Sequence, residues 1–290
     1  MFFNRFKTAI LLGSLSGLLM LMGRMVGGNS GIVVAFIFAM AMNFFTYFFS
    51  DKMVLAMYGA KPLDEDRFKF IYDIMRDLCQ RADMPMPKLW YIPTTMANAF
   101  ATGRNPEHAS VAVTQGILDI LDERELRGVL AHELSHVKNR DILVATVAAT
   151  IAMAISYVAS MLQWSLIFGS FGGGRDRDRE GGSVIGTLIV AIVMPIAASL
   201  IQLAISRSRE FLADETGAKC CSDPLALASA LEKLHSSTTQ MHLQPQSNAQ
   251  TATASLFIVY PFSSGAITRL FSTHPPMAER VARLRKMACQ

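Results

Sequence analysis

Two histidines and one glutamate lie close together in the segment AHELSHVKN, residues 131–139. His132 and His136 are four residues apart, and Glu133 directly follows the first of them. On an α-helix this spacing puts both imidazoles on one face, with the carboxylate beside them. Two such histidines can bind a zinc ion while the glutamate accepts a proton from water. The segment predicts half of a hydrolytic zinc site, although a surface helix with two uninvolved histidines would show the same spacing.

A second polar segment, SRSREFLADETGA at residues 206–218, can supply the missing ligand. If it is helical, Glu210 and Asp214 share one face, and Arg207 lies one turn before Glu210. Catalytic zinc takes three protein ligands and leaves a fourth position for water, and a glutamate from a second helix can be the third ligand. A solvated acidic helix end is the alternative interpretation.

The two segments together predict one zinc ion per chain. The three predicted ligands are His132, His136 and Glu210. Asp214 is expected to accept a hydrogen bond from a ligand histidine and so to fix its tautomer, and Arg207 is a candidate for a supporting position. Glu133 is the expected general base.

The helix that carries the histidines has a defined start and a buried face. Asp122 and Glu125 form a D-x-x-E capping box at its N-terminus. Its apolar residues recur at helical spacing: Leu126, Val129, Leu130, Leu134 and Val137. We expect this face to pack against a core, because a site whose supporting residues let it loosen by about 1 Å loses activity.

The region before this helix predicts a small sheet. An amphipathic helix over Asp64–Arg81 precedes a strand at Lys88–Ile92, and two short strands follow at 98–103, NAFATG, and at 110–114. The last two strands can form an ordinary hairpin. Alternatively, they present an exposed edge that pairs with an extended peptide substrate, and the residues of that edge are Asn98, Ala99, Phe100 and Ala101.

The composition indicates a chain that is partly embedded in lipid, since 51% of its 290 residues are hydrophobic and only 17% are charged. Four apolar stretches are candidate membrane helices: 8–23, 32–49, 142–169 and 184–205. We predict a mainly α, polytopic membrane protein with about four transmembrane helices and a zincin-like α+β peptidase domain that contains a small sheet. The predicted order is a membrane hairpin (1–50), the first half of the peptidase domain (51–141), a second membrane hairpin (142–205) and the second half of the domain (206–290).

This topology agrees with a shared metal site. His132 and Glu210 can meet only if the chain between them crosses the membrane an even number of times, and two crossings are predicted. Basic residues in the short flanking segments place the zinc domain in the cytoplasm, where the four cysteines would remain reduced.

The net charge of +4 comes without a dense Lys/Arg run beside aromatic residues, so we expect no nucleic-acid partner. The Gly/Arg-rich loop at 169–183 is most simply a connector, with a phosphate or nucleic-acid role as the alternative.

Two features near the C-terminus have open assignments. His274, in the segment THPP, either donates a hydrogen bond to the transition state or only orders the helix that follows at 277–287. The apolar segment 255–261 fits either a core or a substrate-facing surface.

Four motifs carry a family resemblance: NAFATG, AHELSHVKNRD, SRSREFLAD and FSTHPPMAER. In their order, and over nearly the whole chain, they resemble the HtpX-type membrane zinc metallopeptidases, which are relatives of the prenyl-protein endopeptidases of the CAAX pathway. The resemblance implies that His132, His136 and Glu210 bind zinc and that Glu133 is the base. It also implies an enzyme of the bacterial inner membrane that cuts misfolded or unassembled membrane proteins on the cytoplasmic side.

We therefore expect a multi-pass zinc metalloendopeptidase of protein quality control and the stress response. Its expected partners are polypeptide substrates, mainly membrane proteins, and the lipid bilayer. Two alternatives stay open. A narrow CAAX-type processing protease would need a large intramembrane chamber, and a non-enzymatic metal-binding membrane protein would close its site with a fourth protein ligand. The sequence carries no signal for an oligomeric state.

Overall fold

The computed structural model describes residues 2–151, 207–241, 256–259 and 275–289. The helices are α1 (Phe2–Met57), α2 (Lys69–Ala82), α3 (Gln115–Ile120), α4 (Glu123–Lys138), α5 (Ile142–Ile151), α6 (Arg207–Cys221), α7 (Pro224–Met241) and α8 (Met277–Met287). The strands are β1 (Lys61–Pro62), β2 (Lys88–Ile92), β3 (Ala99–Gly103) and β4 (Ala109–Thr114). Most of the third predicted membrane span, the whole of the fourth, the Gly/Arg-rich loop and His274 lie outside the described residues.

The first helix, α1, reverses its direction near its middle. Asn43 donates a side-chain hydrogen bond to Ser16 Oγ at 2.8 Å, across 27 residues of sequence. In one straight helix residues so far apart in sequence would be separated by about 40 Å. Gly28 has a φ of +57°, a left-handed conformation that glycine adopts without a Cβ clash. The chain therefore turns near Gly28, and the two halves of α1 lie side by side.

Within the described residues, Gly28–Met57 is the one helical stretch that is long and apolar enough to cross a membrane, judged by length and composition. Thr8–Leu21 and α5 are shorter apolar helical stretches. At its end α1 enters the rest of the protein, because Val54 and Leu55 are buried in a core that includes residues of the sheet. One membrane-capable helix is thus described, and the number of four stays a prediction.

The sheet has the strand order β1-β2-β4-β3. β2 and β4 are parallel, whereas β3 pairs with β4 in the antiparallel sense. The three predicted strands are all present. β3 is an edge strand of the described sheet, and the edge that does not pair with β4 faces α4.

The core is built around α4, which packs against α6, α7, α2 and β3. The five apolar residues predicted to form its buried face are at most 1% exposed. The predicted capping box is present, with the Asp122 carboxylate accepting from the Glu125 N–H at 2.8 Å and the Glu125 carboxylate accepting from the Asp122 N–H at 3.0 Å. The predicted start of α2 at Asp64 is wrong. The helix begins at Lys69, because the Asp64 carboxylate accepts hydrogen bonds from the N–H groups two and three residues later and holds a turn.

Glu125 also ties α4 to α7. Its carboxylate accepts hydrogen bonds from Ser229 Oγ at 2.6 Å and from Lys233 Nζ at 2.7 Å. Burial acts to raise the pKa of Glu125, but these partners outweigh it and lower the pKa below its ordinary value of 4.5. The ionised form of Glu125 therefore stabilises the folded protein.

Glu125→Gln is expected to lower the free energy of unfolding by about 2 kcal/mol at pH 7, or the Tm by roughly 4–8 °C. A carboxyl group whose pKa is lowered on folding stabilises above its unfolded pKa, and this contribution is lost as the pH falls through the folded value. The difference from wild type should therefore shrink below pH 4.5. Thermal unfolding between pH 3 and 8 measures it, with the exposed neighbour Glu123→Gln as control. Equal losses in the two variants would contradict the assignment.

Candidate active site

The three predicted ligands come together from two helices. His132 and His136 lie on α4 and Glu210 lies on α6, and one ligand atom from each is within 4.8 Å of the other two. The two imidazole Nε2 atoms are 3.2 Å apart. Glu210 Oε1 is 3.6 Å from His136 Nε2, and Glu210 Oε2 is 3.8 Å from His132 Nε2. His132 and Glu210 are buried, whereas His136 is partly exposed.

The donor set fits a zinc ion. Ligand atoms at 2.0–2.1 Å from a tetrahedral zinc are about 3.3 Å from one another, and the separations of 3.2–3.8 Å here are close to that value. Each imidazole also turns its Nδ1 away from the centre toward a carboxylate. That arrangement places the proton on Nδ1 and leaves the lone pair of Nε2 directed at the centre.

The carboxylates that hold the two rings are Asp214 and Asp141. His132 Nδ1 is 3.0 Å from Asp214 Oδ1, the carboxylate proposed from the sequence to hold a ligand histidine. His136 Nδ1 is 3.3 Å from Asp141 Oδ2, a partner that was not predicted from the sequence. Arg140 has a φ of +58° and lets the chain turn back, so that the Asp141 N–H donates to the His136 carbonyl at 3.0 Å. The signal was present in the sequence, as an acid two residues beyond the helix end at Asn139.

A buried arginine on α8 holds Asp214 in turn. Arg280 is 0% exposed and donates two parallel hydrogen bonds to the Asp214 carboxylate, from Nε at 2.8 Å and from Nη2 at 2.7 Å. Its Nη1 donates to the Ile258 carbonyl at 3.0 Å. Burial acts to raise the pKa of Asp214, but the charge and hydrogen bonds of Arg280 outweigh it and lower the pKa to about 2. Arg280 on α8 thus holds Asp214 on α6, and Asp214 in turn holds the ligand His132 on α4.

Arg280 lies in the helix predicted at 277–287 and had no predicted role. A signal was nevertheless available, because Arg280 lies next to Val281 and one turn before Leu284, both on the buried face of α8. An arginine at a core position needs a buried anionic partner.

Glu133, the predicted base, lies beside the ligands and against the edge strand. It is 3% exposed, and its Oε2 accepts a hydrogen bond from the Ala101 N–H at 2.9 Å. Burial raises the pKa of Glu133 to about 7, with the nearby charge of His136 acting in the opposite direction. A carboxylate with a pKa near neutral pH can both take up and release a proton there.

The four residues of the predicted edge are buried rather than exposed, and Ala101 contacts Glu133 through its backbone N–H. Asn98 joins β3 to the segment 256–259, because its Oδ1 accepts from the Ile258 N–H at 3.2 Å. Phe100 packs against Tyr58 from the end of α1, with ring centroids 5.7 Å apart. Ala99 and Ala101 complete the edge. Segment 256–259 is also buried, which agrees with the core interpretation of that stretch.

Arg207 is not brought into this arrangement. It is exposed at the start of α6, and the arginine of that turn that is largely buried is Arg209. Burial lowers the pKa of Arg209, while the charges of Asp141 and Glu210 act to raise it. In the described part of the chain, Arg209 and Arg280 are therefore cations near the ligands.

α6 packs directly on the backbone of α4 at Gly217. A Cβ on Gly217 would lie 2.9 Å from the Cα and N atoms of His132, which is closer than real Cβ atoms approach. The absence of a side chain thus lets α6 bring Glu210 within reach of the two histidines.

Gly217→Ala is expected to push α6 away from His132 and to weaken zinc affinity by about tenfold. Overpacking should also cost about 1–3 kcal/mol of stability, more than the roughly 1 kcal/mol that alanine gains over glycine in a helix. Zinc affinity by competition with a chelator and thermal unfolding check both effects, with the half-buried neighbour Thr216→Ala as control. A Gly217→Ala protein with raised Tm and normal zinc affinity would contradict the role of this contact.

The chain is similar to known peptidases over most of its length. The model of the family "Peptidase family M48" matches residues 65–288. The chain is 52% identical over 284 residues to a protein named Protease HtpX homolog from Syntrophobacter fumaroxidans, covering 98% of this chain and 99% of the relative. It is 51% identical over 282 residues to the Protease HtpX homolog of Thermococcus sibiricus, covering 97% of this chain and 95% of the relative. The corresponding protein of Burkholderia multivorans is 50% identical over 286 residues, covering 99% and 98%.

A solved structure shares the fold. The crystal structure of Ste24p from S. mikatae aligns with a TM-score of 0.52 and 15% sequence identity, over 97% of this chain. The chain spans 64% of the length of the Ste24p chain. The matched range of the family model, residues 65–288, contains His132, His136 and Glu210. The chain belongs to peptidase family M48 and is a metallopeptidase.

Proposed function

We propose that this metallopeptidase is a zinc endopeptidase of the bacterial inner membrane that degrades misfolded or damaged membrane proteins from the cytoplasmic side. The observation that carries the proposal is the buried cluster of His132, His136 and Glu210, with Glu133 beside it at the sheet edge. The membrane assignment is supported by the apolar helix Gly28–Met57. The four predicted divisions of the chain, with a second hairpin between the two halves of the peptidase domain, belong to the same proposal.

One zinc ion per chain would be held by Nε2 of His132, Nε2 of His136 and the Glu210 carboxylate. A zinc ion bound there supplies a water of lowered pKa, near ~7, and polarises the scissile carbonyl. Asp214 and Asp141 hold the two imidazole rings with their Nε2 atoms toward the centre. Arg280 keeps Asp214 ionised and in place.

Glu133 carries the proton transfers. Its carboxylate takes a proton from the attacking water and delivers it to the nitrogen of the leaving amine. The hydrogen bond from the Ala101 N–H holds the carboxylate between β3 and the ligand histidines. A peptide that lies along β3 would be recognised through its backbone, so we expect broad sequence specificity.

The proposal is tested by the zinc content and casein cleavage of the purified full-length chain, before and after chelation. Chelation is expected to abolish cleavage, and one equivalent of zinc should restore it. A membrane-protein substrate and a prenylated peptide ending in CAAX are then compared in the same preparation. If only the prenylated peptide is cleaved, the function is CAAX-type processing and not quality control. If zinc-loaded protein cleaves none of these substrates, the proposed endopeptidase role is wrong.

A further inference from the structure

A cleft of about 380 Å³ opens between the end of α1 and the loop that joins β3 to β4. The cleft is separate from the ligand cluster and has no role in the proposed mechanism. Aromatic residues of α1 form one side, and residues at the starts of β2 and β4 form the other. Its chemistry is therefore part apolar and part charged.

Three basic residues from three different elements line the cleft: Lys52 of α1, Lys88 of β2 and Arg104 after β3. Two acids, Asp51 and Glu107, also line it. Across the described residues, no carboxylate lies within 4.0 Å of any of the three cations, so they form no ion pairs there. Three cations against two carboxylates give the cleft a formal net charge of +1, and its cations are available to an anion.

The apolar side of the cleft continues onto the exposed face of α1. Phe44 is 55% exposed and Phe48 is 41% exposed, although both are large and apolar. Arg104 lies over the Phe48 ring at 5.2 Å from its centroid, and Lys52 lies 5.3 Å from the centroid of Phe49. Aromatic rings beside Lys and Arg side chains are typical of a membrane–water interface.

The position of the cleft along α1 agrees with such an interface. Toward the N-terminus lies the apolar part of the membrane-capable stretch Gly28–Met57. Toward the C-terminus, Val54 and Leu55 are already buried inside the protein. The cleft therefore lies where α1 would leave the hydrocarbon and enter the folded domain.

We propose that this cleft binds the headgroup of an anionic phospholipid. The phosphate lies among Lys52, Lys88 and Arg104, and the acyl chains run along Phe44 and Phe48. A headgroup with a net charge of −1 neutralises the cleft, whereas a zwitterionic one leaves its positive charge uncompensated. A soluble phosphate would leave the aromatic side uncovered. The proposal rests on the membrane insertion of α1 that is part of the proposed function.

The test is a titration of the full-length chain in detergent micelles with phosphatidylglycerol, followed by native mass spectrometry. Phosphatidylglycerol is expected to bind at least about tenfold more tightly than phosphatidylcholine. Lys88→Gln/Arg104→Gln should weaken phosphatidylglycerol binding by about 30-fold, since each basic residue near an anionic surface contributes a factor of about 5. The control Lys69→Gln/Arg285→Gln removes two exposed cations elsewhere and should change binding less than twofold.

Equal binding of the two lipids, or unchanged binding by Lys88→Gln/Arg104→Gln, would overturn the proposal. Glycerol 1-phosphate is added as a competitor. If it displaces phosphatidylglycerol at equal concentration, the cleft is a site for soluble anions and the lipid assignment is wrong. Zinc content and casein cleavage, measured on the same samples, report on the peptidase function independently of the cleft.

Discussion

Glu133→Gln protein is expected to keep its zinc and to lose peptidase activity by about a thousandfold. Glutamine has nearly the same shape as glutamate, and its amide oxygen can still accept the Ala101 N–H that now bonds Glu133 Oε2 at 2.9 Å. It cannot accept a proton from water at neutral pH. The substitution therefore removes the proton transfer while it leaves the zinc ligands and the strand contact in place.

The measurement is casein cleavage at saturating zinc, together with the zinc content of the same sample by atomic absorption. Glu107→Gln, at an exposed glutamate in the β3–β4 loop, serves as the control and should retain wild-type activity. Should Glu133→Gln bind a full equivalent of zinc and cleave casein at the normal rate, another group must be the base. A loss of zinc with the loss of activity would make Glu133 a structural residue instead.

Arg280→Met is expected to lower the free energy of unfolding by about 3–5 kcal/mol, because it leaves Asp214 as a buried charge without its cation. The ring of His132 then loses its fixed partner, and zinc affinity should fall by about 10–100-fold. Arg280→Lys keeps the charge but cannot form two parallel hydrogen bonds to Asp214 and a third to Ile258. We expect the stability and the zinc affinity of Arg280→Lys to lie between those of Arg280→Met and wild type.

Zinc affinity by competition with a chelator and thermal unfolding distinguish this positioning role from a general loss of folding. At saturating zinc, Arg280→Lys should recover most of its kcat, because the deficit lies in metal binding. Arg285→Met on the same helix is the control, since Arg285 is exposed and pairs with the exposed Glu232. If Arg280→Met matched the control in both Tm and zinc affinity, the chain Arg280–Asp214–His132 would have no energetic role.

The local parts of the site were predictable because their geometry follows from spacing within one helix. The four-residue separation of His132 and His136 stacks the imidazoles, and the same separation in Glu210 and Asp214 puts the carboxylates on one face. The capping box at Asp122 and the apolar face of α4 were likewise properties of a short segment. The alternation of Val111 and Val113 predicted the strand at 110–114 for the same reason.

The parts that sequence reasoning missed depend on contacts between distant segments. Arg280 meets Asp214 across 66 residues, and no periodicity within α8 specifies that partner. Asp141 reaches His136 only because Arg140 adopts a left-handed backbone conformation, which arginine rarely takes. Arg207 was favoured over Arg280 by its sequence distance from Glu210, but the orientation of α6 leaves Arg207 in solvent. Nearness in sequence was in this case a poor guide to nearness in space.

Ile258 links the edge strand to α8. Its N–H donates a hydrogen bond to the Asn98 side chain beside β3, and its carbonyl accepts one from Arg280. During synthesis on the ribosome, an emerging chain would carry the helix with both histidines long before Arg280 has been translated. A nascent chain would then lack the residue that fixes Asp214, so the ring of His132 would not be held in place. We expect proteolytic competence to arise only once α8 has left the ribosome, so that translation itself delays the appearance of an active protease.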